Sequence, residues 1–165
     1  ALTLAFRPIN MIEQSLYQVL FQHVAAKVNR RESIRPILHR FSIYAMGITI
    51  PCFLVLYFVL PPLTSWLLGT EWEITGHYIR VMLPWLVVNI WSATISFLID
   101  IFQKQKISFY IELAYIIFRL AALILGVLLN NFYYAIVGYC IVGFVFNLLQ
   151  GIWYMCMVNI YERNL

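Results

Sequence analysis

Arg119 and Glu112 interrupt an otherwise apolar stretch from position 107 to position 129, and they are the residues best suited to chemistry in this chain. A charge at bilayer depth costs from about 2.5 to over 10 kcal/mol, so it turns toward a cavity or a partner. Arg119 lies roughly 18 Å into its stretch at about 1.5 Å per residue. Glu112, seven positions earlier, shares its helical face but sits about 10 Å away along the axis, too far for a simple internal pair. Two readings stay open. Arg119 pairs with an acid or a helix end on a neighbouring segment and fixes packing, or it offers positive charge to an anionic substrate in a central cavity. The guanidinium suits the second role because its fork of donors matches phosphate oxygens and does not deprotonate. Arg7 is a second cavity candidate and Arg80, at a helix start, a third.

Polar residues also form stripes. At about 100° per residue, Arg7, Asn10, Gln14, Gln18 and Gln22 fall within an arc of roughly 120°. A helix over 2–26 with that stripe spans a membrane if the stripe faces water or protein; the alternative is an amphipathic helix lying on the surface. Asn89, Ser92, Ser96 and Asp100 fall within roughly 80° of one another, which suits either hydrogen bonding between helices or substrate contact. Gly143, Asn147 and Gly151 recur every four residues, a spacing that permits close helix approach.

Catalytic signatures are missing. There is no nucleotide loop, zinc-ligand spacing, nucleophile elbow or usefully spaced acid pair, and His23, His39 and His77 sit in separate segments. We expect no enzyme activity, no metal and no cofactor. Cys52, Cys140 and Cys156 each lie in apolar runs without redox or metal spacing and read as buried structural thiols.

The elements that position these residues follow from composition. Of 165 residues, 63% are hydrophobic and 11% charged, against about 45–50% and about 25% in soluble domains, and the mean hydropathy is +0.84. The expected architecture is all-α, a polytopic transmembrane bundle in one domain over 1–165, with a lipid bilayer as its surroundings. A crossing needs about 20 apolar residues, which places helices near 2–26, 41–60, 80–102, 107–129 and 133–160. Pro61 and Pro62 are expected to end the second of these and Pro51 to kink it. The net charge of +4 does not indicate nucleic acid, because the cations are concentrated in connections: Lys27, Arg30, Arg31, Arg35 and Arg40 in one, Lys104 and Lys106 in another. By the positive-inside rule both are cytoplasmic, as is the C-terminus. Glu71, Glu73, Asn130 and Asn131 mark the outward connections, with Trp66, Trp72, Tyr78, Tyr133 and Tyr134 as an aromatic belt. The first residue is Ala, the pattern opens midway, and five crossings with an outside start need an earlier partner; the chain is expected to be part of a longer protein.

The order of features resembles the polysaccharide flippases related to the O-antigen transporter, in the multidrug/oligosaccharidyl-lipid/polysaccharide exporter superfamily. The resemblance rests on Arg7-Pro-Ile-Asn10, Gln18-Val-Leu-Phe-Gln22, the basic connection, and the segment from Gly69 through Gly76, Tyr78, Arg80 and Pro84 to Trp85. Gln103-Lys-Gln-Lys106 and Phe118-Arg119-Leu120 with Gly126 add to it. It implies two six-helix lobes around a cavity, these segments being helices eight to twelve, with an N-terminal lobe supplied by the same polypeptide. It further implies a bacterial inner membrane location and a lipid-linked, undecaprenyl-pyrophosphate oligosaccharide as the partner moved. The rivals are a cation-coupled multidrug extruder of the same superfamily, a membrane saccharide ligase or acyltransferase, and a structural or assembly subunit.

Overall fold

The computed structural model describes residue 18, residues 20–69 and residues 73–165. Arg7, Asn10 and Gln14 lie outside the described residues, while Gln18 is exposed and residues 20–29 form a helix, α1. There follow α2 (Arg35–Leu68), α3 (Glu73–Thr94), the short α4 (Leu98–Ile101), α5 (Gln105–Leu128) and α6 (Phe132–Arg163). The described residues contain no strand, and the protein is an all-α helical bundle. Four stretches, Arg35–Leu67, Thr75–Ile101, Gln105–Leu128 and Phe132–Arg163, are long and apolar enough to cross a membrane. In lipid a helix satisfies its own backbone polar groups, which is why apolar segments of this length take that form.

The connections are short, and three of them close in the same way. Arg31, Gln103 and Asn130 adopt φ of 55°, 53° and 51°. Beyond each, a backbone N–H reaches back to a carbonyl five positions earlier: Glu32 to Lys27 at 2.9 Å, Lys104 to Ile99 at 2.9 Å and Asn131 to Gly126 at 3.2 Å. This left-handed closure satisfies carbonyls that the helix ends leave without partners. Asn131 then starts α6, its side chain accepting from the Tyr133 N–H at 3.0 Å.

Helix α6 is the centre of the bundle, with α3 and α5 packed on it and α2 packed on α3. Its small residues make this possible. A Cβ on Gly126 of α5 would collide with Ala135 of α6, and one on Gly151 with the Trp91 ring of α3. A buried cluster closes one end, formed by Val24, Ile34, Leu38, Ile95, Phe97, Leu98, Tyr154, Met157 and Val158. Elsewhere large apolar side chains such as Ile48, Leu54, Phe109, Ile117 and Leu128 point outward, the arrangement expected where the solvent is lipid.

The same end gathers the basic connections. Glu162 near the end of α6 accepts from Ser33 Oγ at 3.0 Å, the Ile34 N–H at 2.8 Å and the Arg35 N–H at 3.0 Å, and Tyr161 packs against Phe102 with ring centroids 5.7 Å apart. Residues 30–35, 102–106 and 161–165 are therefore neighbours. At the other end Tyr78 meets Phe132 and Tyr133 at 5.8 and 6.2 Å.

Two expectations are corrected. Pro61 and Pro62 do not end the helix: both lie inside α2, as does Pro51, and α2 runs on to Leu68. Pro61 withholds the N–H that would reach the Tyr57 carbonyl, and Arg80 of α3 supplies a substitute, its Nε donating to that carbonyl at 2.8 Å. Thr64 Oγ1 donates to Pro61 O at 2.9 Å. Gly76 lets α3 come this close, since a Cβ there would stand 2.8 Å from Pro61 Cα. The cysteines also differ from expectation, because only Cys140 is buried while Cys52 and Cys156 are exposed on the outer surface of apolar helices.

Candidate functional site

Arg119 sits in the interior of α5 and is enclosed by aromatic rings from three helices. Its Cζ lies 4.4 Å from the ring centroid of Trp85 on α3, 4.2 Å from Tyr115 on α5 and 4.0 Å from Tyr139 on α6. Tyr115 is one turn away on the same helix, so its approach follows from the helical repeat. Trp85 and Tyr139 arrive by packing and meet edge to face at 5.7 Å. Gly143 makes the room, for a Cβ at that position would stand 2.7 Å from Arg119 Nη2 and equally close to Trp85 Cδ1 and Nε1.

The cation is only partly satisfied. Arg119 Nη1 donates to Tyr139 Oη at 2.7 Å, whereas the buried Nε and Nη2 have no hydrogen-bond partner among the described residues. No carboxylate among those residues meets the guanidinium. Three π faces lower the cost of holding the charge there, each cation–π contact being worth about 0.5–2 kcal/mol, but they leave two N–H groups without a hydrogen-bond acceptor.

A polar ladder continues along the same face of α6. Asn147, 5% exposed, donates from Nδ2 to Tyr115 Oη at 3.1 Å and to the Gly143 carbonyl at 2.7 Å, and its Oδ1 accepts from Asn89 Nδ2 at 3.2 Å. One turn further, buried Gln150 donates from Nε2 to Glu112 Oε1 at 2.7 Å. Arg119 and Glu112 thus both face α6, as their spacing suggests, and each is held by a different α6 side chain. Residues 139, 143, 147 and 150 carry the ladder because spacings of three and four return to one helical face.

Other predicted positions fall elsewhere. Asn89 joins the ladder and Ser92 is buried, but α3 ends at Thr94, so the stripe does not continue on one regular helix. Ser96 is half-buried at the break, with Oγ donating to Ala93 O at 2.8 Å. Gly143, Asn147 and Gly151 pack as expected, and Gly143 and Asn147 also build the Arg119 surroundings. Trp85, Tyr115, Tyr139 and Gln150 were not among the predicted residues. The four-residue spacing of Tyr139, Gly143 and Asn147 carried a signal for Tyr139; nothing in the local sequence marked Trp85.

Four cavities of 370 to 630 Å³ open at the surface, and none of these four is lined by Arg119. Among the described residues no group of three His, Cys, Asp or Glu side chains is placed to hold a metal ion. The arrangement defines a polytopic helical membrane protein with a caged interior cation. Comparison with family models, with curated proteins and with solved structures finds no match to this chain.

Proposed function

We propose that this chain forms one helical lobe of a membrane exporter that moves a lipid-linked oligosaccharide, carried on undecaprenyl pyrophosphate, from the cytoplasmic to the outer leaflet of a bacterial inner membrane. The observation that carries the proposal is Arg119, a permanent cation within an apolar helix, held by neutral rings, with two N–H groups unspent. A diphosphate or a sugar acid would complete its hydrogen bonding, and the fork of donors recognises such oxygens better than an ammonium does. The sequence resemblance supplies the saccharide. In that reading a second lobe from the same polypeptide faces this one, and the two lobes rock about a shared cavity.

The test is complementation of a strain lacking the gene, with wild type, Arg119→Ala and Arg119→Lys at matched membrane levels. The deletion is expected to accumulate lipid-linked oligosaccharide and lose surface polysaccharide, with restoration by wild type and not by Arg119→Ala. Normal polysaccharide in the deletion strain would refute the saccharide substrate.

A second reading is favoured by one contact. Glu112 bound to Gln150 is a membrane-embedded carboxylate of the kind a cation-coupled extruder of small organic molecules needs. Loss of drug resistance in a Glu112→Gln strain, with polysaccharide intact, would select it.

A further inference from the structure

Along the α2–α3 face an apolar groove and a cationic cavity lie end to end. The groove, 460 Å³, is lined by Ile50, Leu54, Tyr57, Leu83, Val87 and Phe144, among others, and by no charged side chain. The cavity, 620 Å³, is lined by Pro61, Pro62, Ser65, Trp66, His77 and Arg80. They meet at the Arg80–Tyr57 pair, where the guanidinium lies 4.8 Å from the Tyr57 ring centroid and Nε donates to the Tyr57 carbonyl. With Nε so used, the guanidinium is fixed in direction while its terminal nitrogens belong to a group lining the cavity.

Depth gives this juxtaposition its meaning. Tyr57 is about 26 Å along α2 from Arg40, the last cation of the basic connection, at about 1.5 Å per residue, and the hydrocarbon layer is about 30 Å thick. Arg80 therefore lies near the far edge of the hydrocarbon, within reach of the headgroups on the side away from the basic connections. The groove, from Ile50 to Phe58 on α2, covers about 12 Å of the hydrocarbon directly beneath it. Trp66, 81% exposed, stands about 14 Å further along α2, toward the headgroups, where aromatic side chains are enriched. A ligand that fills both compartments has an anionic head and an apolar chain, and belongs to that leaflet.

We propose that the α2–α3 face is a binding site for an anionic glycerophospholipid of the leaflet opposite the basic connections, with the phosphate on Arg80 and one acyl chain in the groove. The occupant is a lipid and not free phosphate, because the groove offers an anion nothing. It is an anionic lipid because Arg80 supplies the charge that the headgroup complements. The site is separate from Arg119 and does not depend on the export reading.

The test is thermal unfolding of the full-length protein in neutral detergent, titrated with phosphatidylglycerol, phosphatidylcholine or inorganic phosphate. A ligand that binds only the folded state raises the midpoint with concentration. Phosphatidylglycerol is expected to raise it, with phosphatidylcholine and inorganic phosphate giving little. Leu54→Trp, which fills the groove, should weaken the phosphatidylglycerol response on the order of tenfold in concentration. Arg80→Gln should do the same. Because Arg80→Gln also strips the Tyr57 carbonyl of its donor, it is paired with Pro61→Ala, which returns a backbone N–H to that carbonyl while leaving the cavity without its cation. An unchanged response in both Leu54→Trp and Pro61→Ala/Arg80→Gln, or an equal response to phosphatidylcholine, would overturn the proposal.

Discussion

Glu162 Oε1 lies 2.8 Å from the backbone nitrogen of Ile34, so the last turn of α6 caps the first turn of α2. Helix α2 has no side-chain cap of its own, and a carboxylate at a helix N-terminus both accepts from the free N–H groups and complements the helix dipole. We expect Glu162→Ala to lower stability by about 1 kcal/mol. Thermal unfolding in detergent reads this as a lower midpoint, with Glu162→Gln falling between it and wild type. An unchanged midpoint would mean that water caps α2 equally well.

Tyr139→Phe removes the one side-chain hydrogen bond that Arg119 makes among the described residues while keeping a ring against it. The expected loss is about 1.5–3 kcal/mol, the range for a bond to a charged group. Tyr139→Leu should cost more, since the π face goes too. Denaturant or thermal midpoints of the two variants, compared with Tyr133→Phe as a control outside the cage, check the order.

Gly143→Ala introduces a methyl 2.7 Å from both Arg119 Nη2 and Trp85 Nε1. The cage must open to admit it, at a cost of about 1–3 kcal/mol. If the export reading holds, complementation should fall further than the stability loss explains. Indole fluorescence and export measured on the same variant separate the two effects.

Arg80 and Pro61 should be energetically coupled. Arg80→Gln leaves the Tyr57 carbonyl without its donor, a loss of about 1–3 kcal/mol, whereas in a Pro61→Ala background the same change should cost little. A double-mutant cycle of unfolding free energies measures the coupling; additive costs would show that the carbonyl is satisfied some other way.

Residues 33 and 104 share one end of the bundle and residue 130 the other. In a protein with Cys52, Cys140 and Cys156 replaced by Ala, Ser33→Cys and Lys104→Cys should react with an impermeant thiol reagent from one side of the membrane and Asn130→Cys from the opposite side. Labelling of Ser33→Cys and Asn130→Cys from the same side would break the threading.

The sequence by itself determined which described stretches are helices long and apolar enough to cross a bilayer. From Phe41 to Thr70 no residue is charged, and lipid allows such a run only as a helix; the crowding of Lys27, Arg30, Arg31, Arg35 and Arg40 likewise marked one end. The shared face of Arg119 and Glu112 was legible too, because a helical repeat is a local property. What those two residues meet was not legible, because Tyr139 and Gln150 lie on another helix and Trp85 on a third. The same limit applies at Pro61: proline chemistry alone reads as a stop, and the Tyr57 carbonyl that Pro61 leaves open is met by Arg80, from a different segment. Spans follow from a free energy summed along the chain, whereas the cage, the cap and the rescued carbonyl depend on which helices become neighbours, and only tertiary packing decides that.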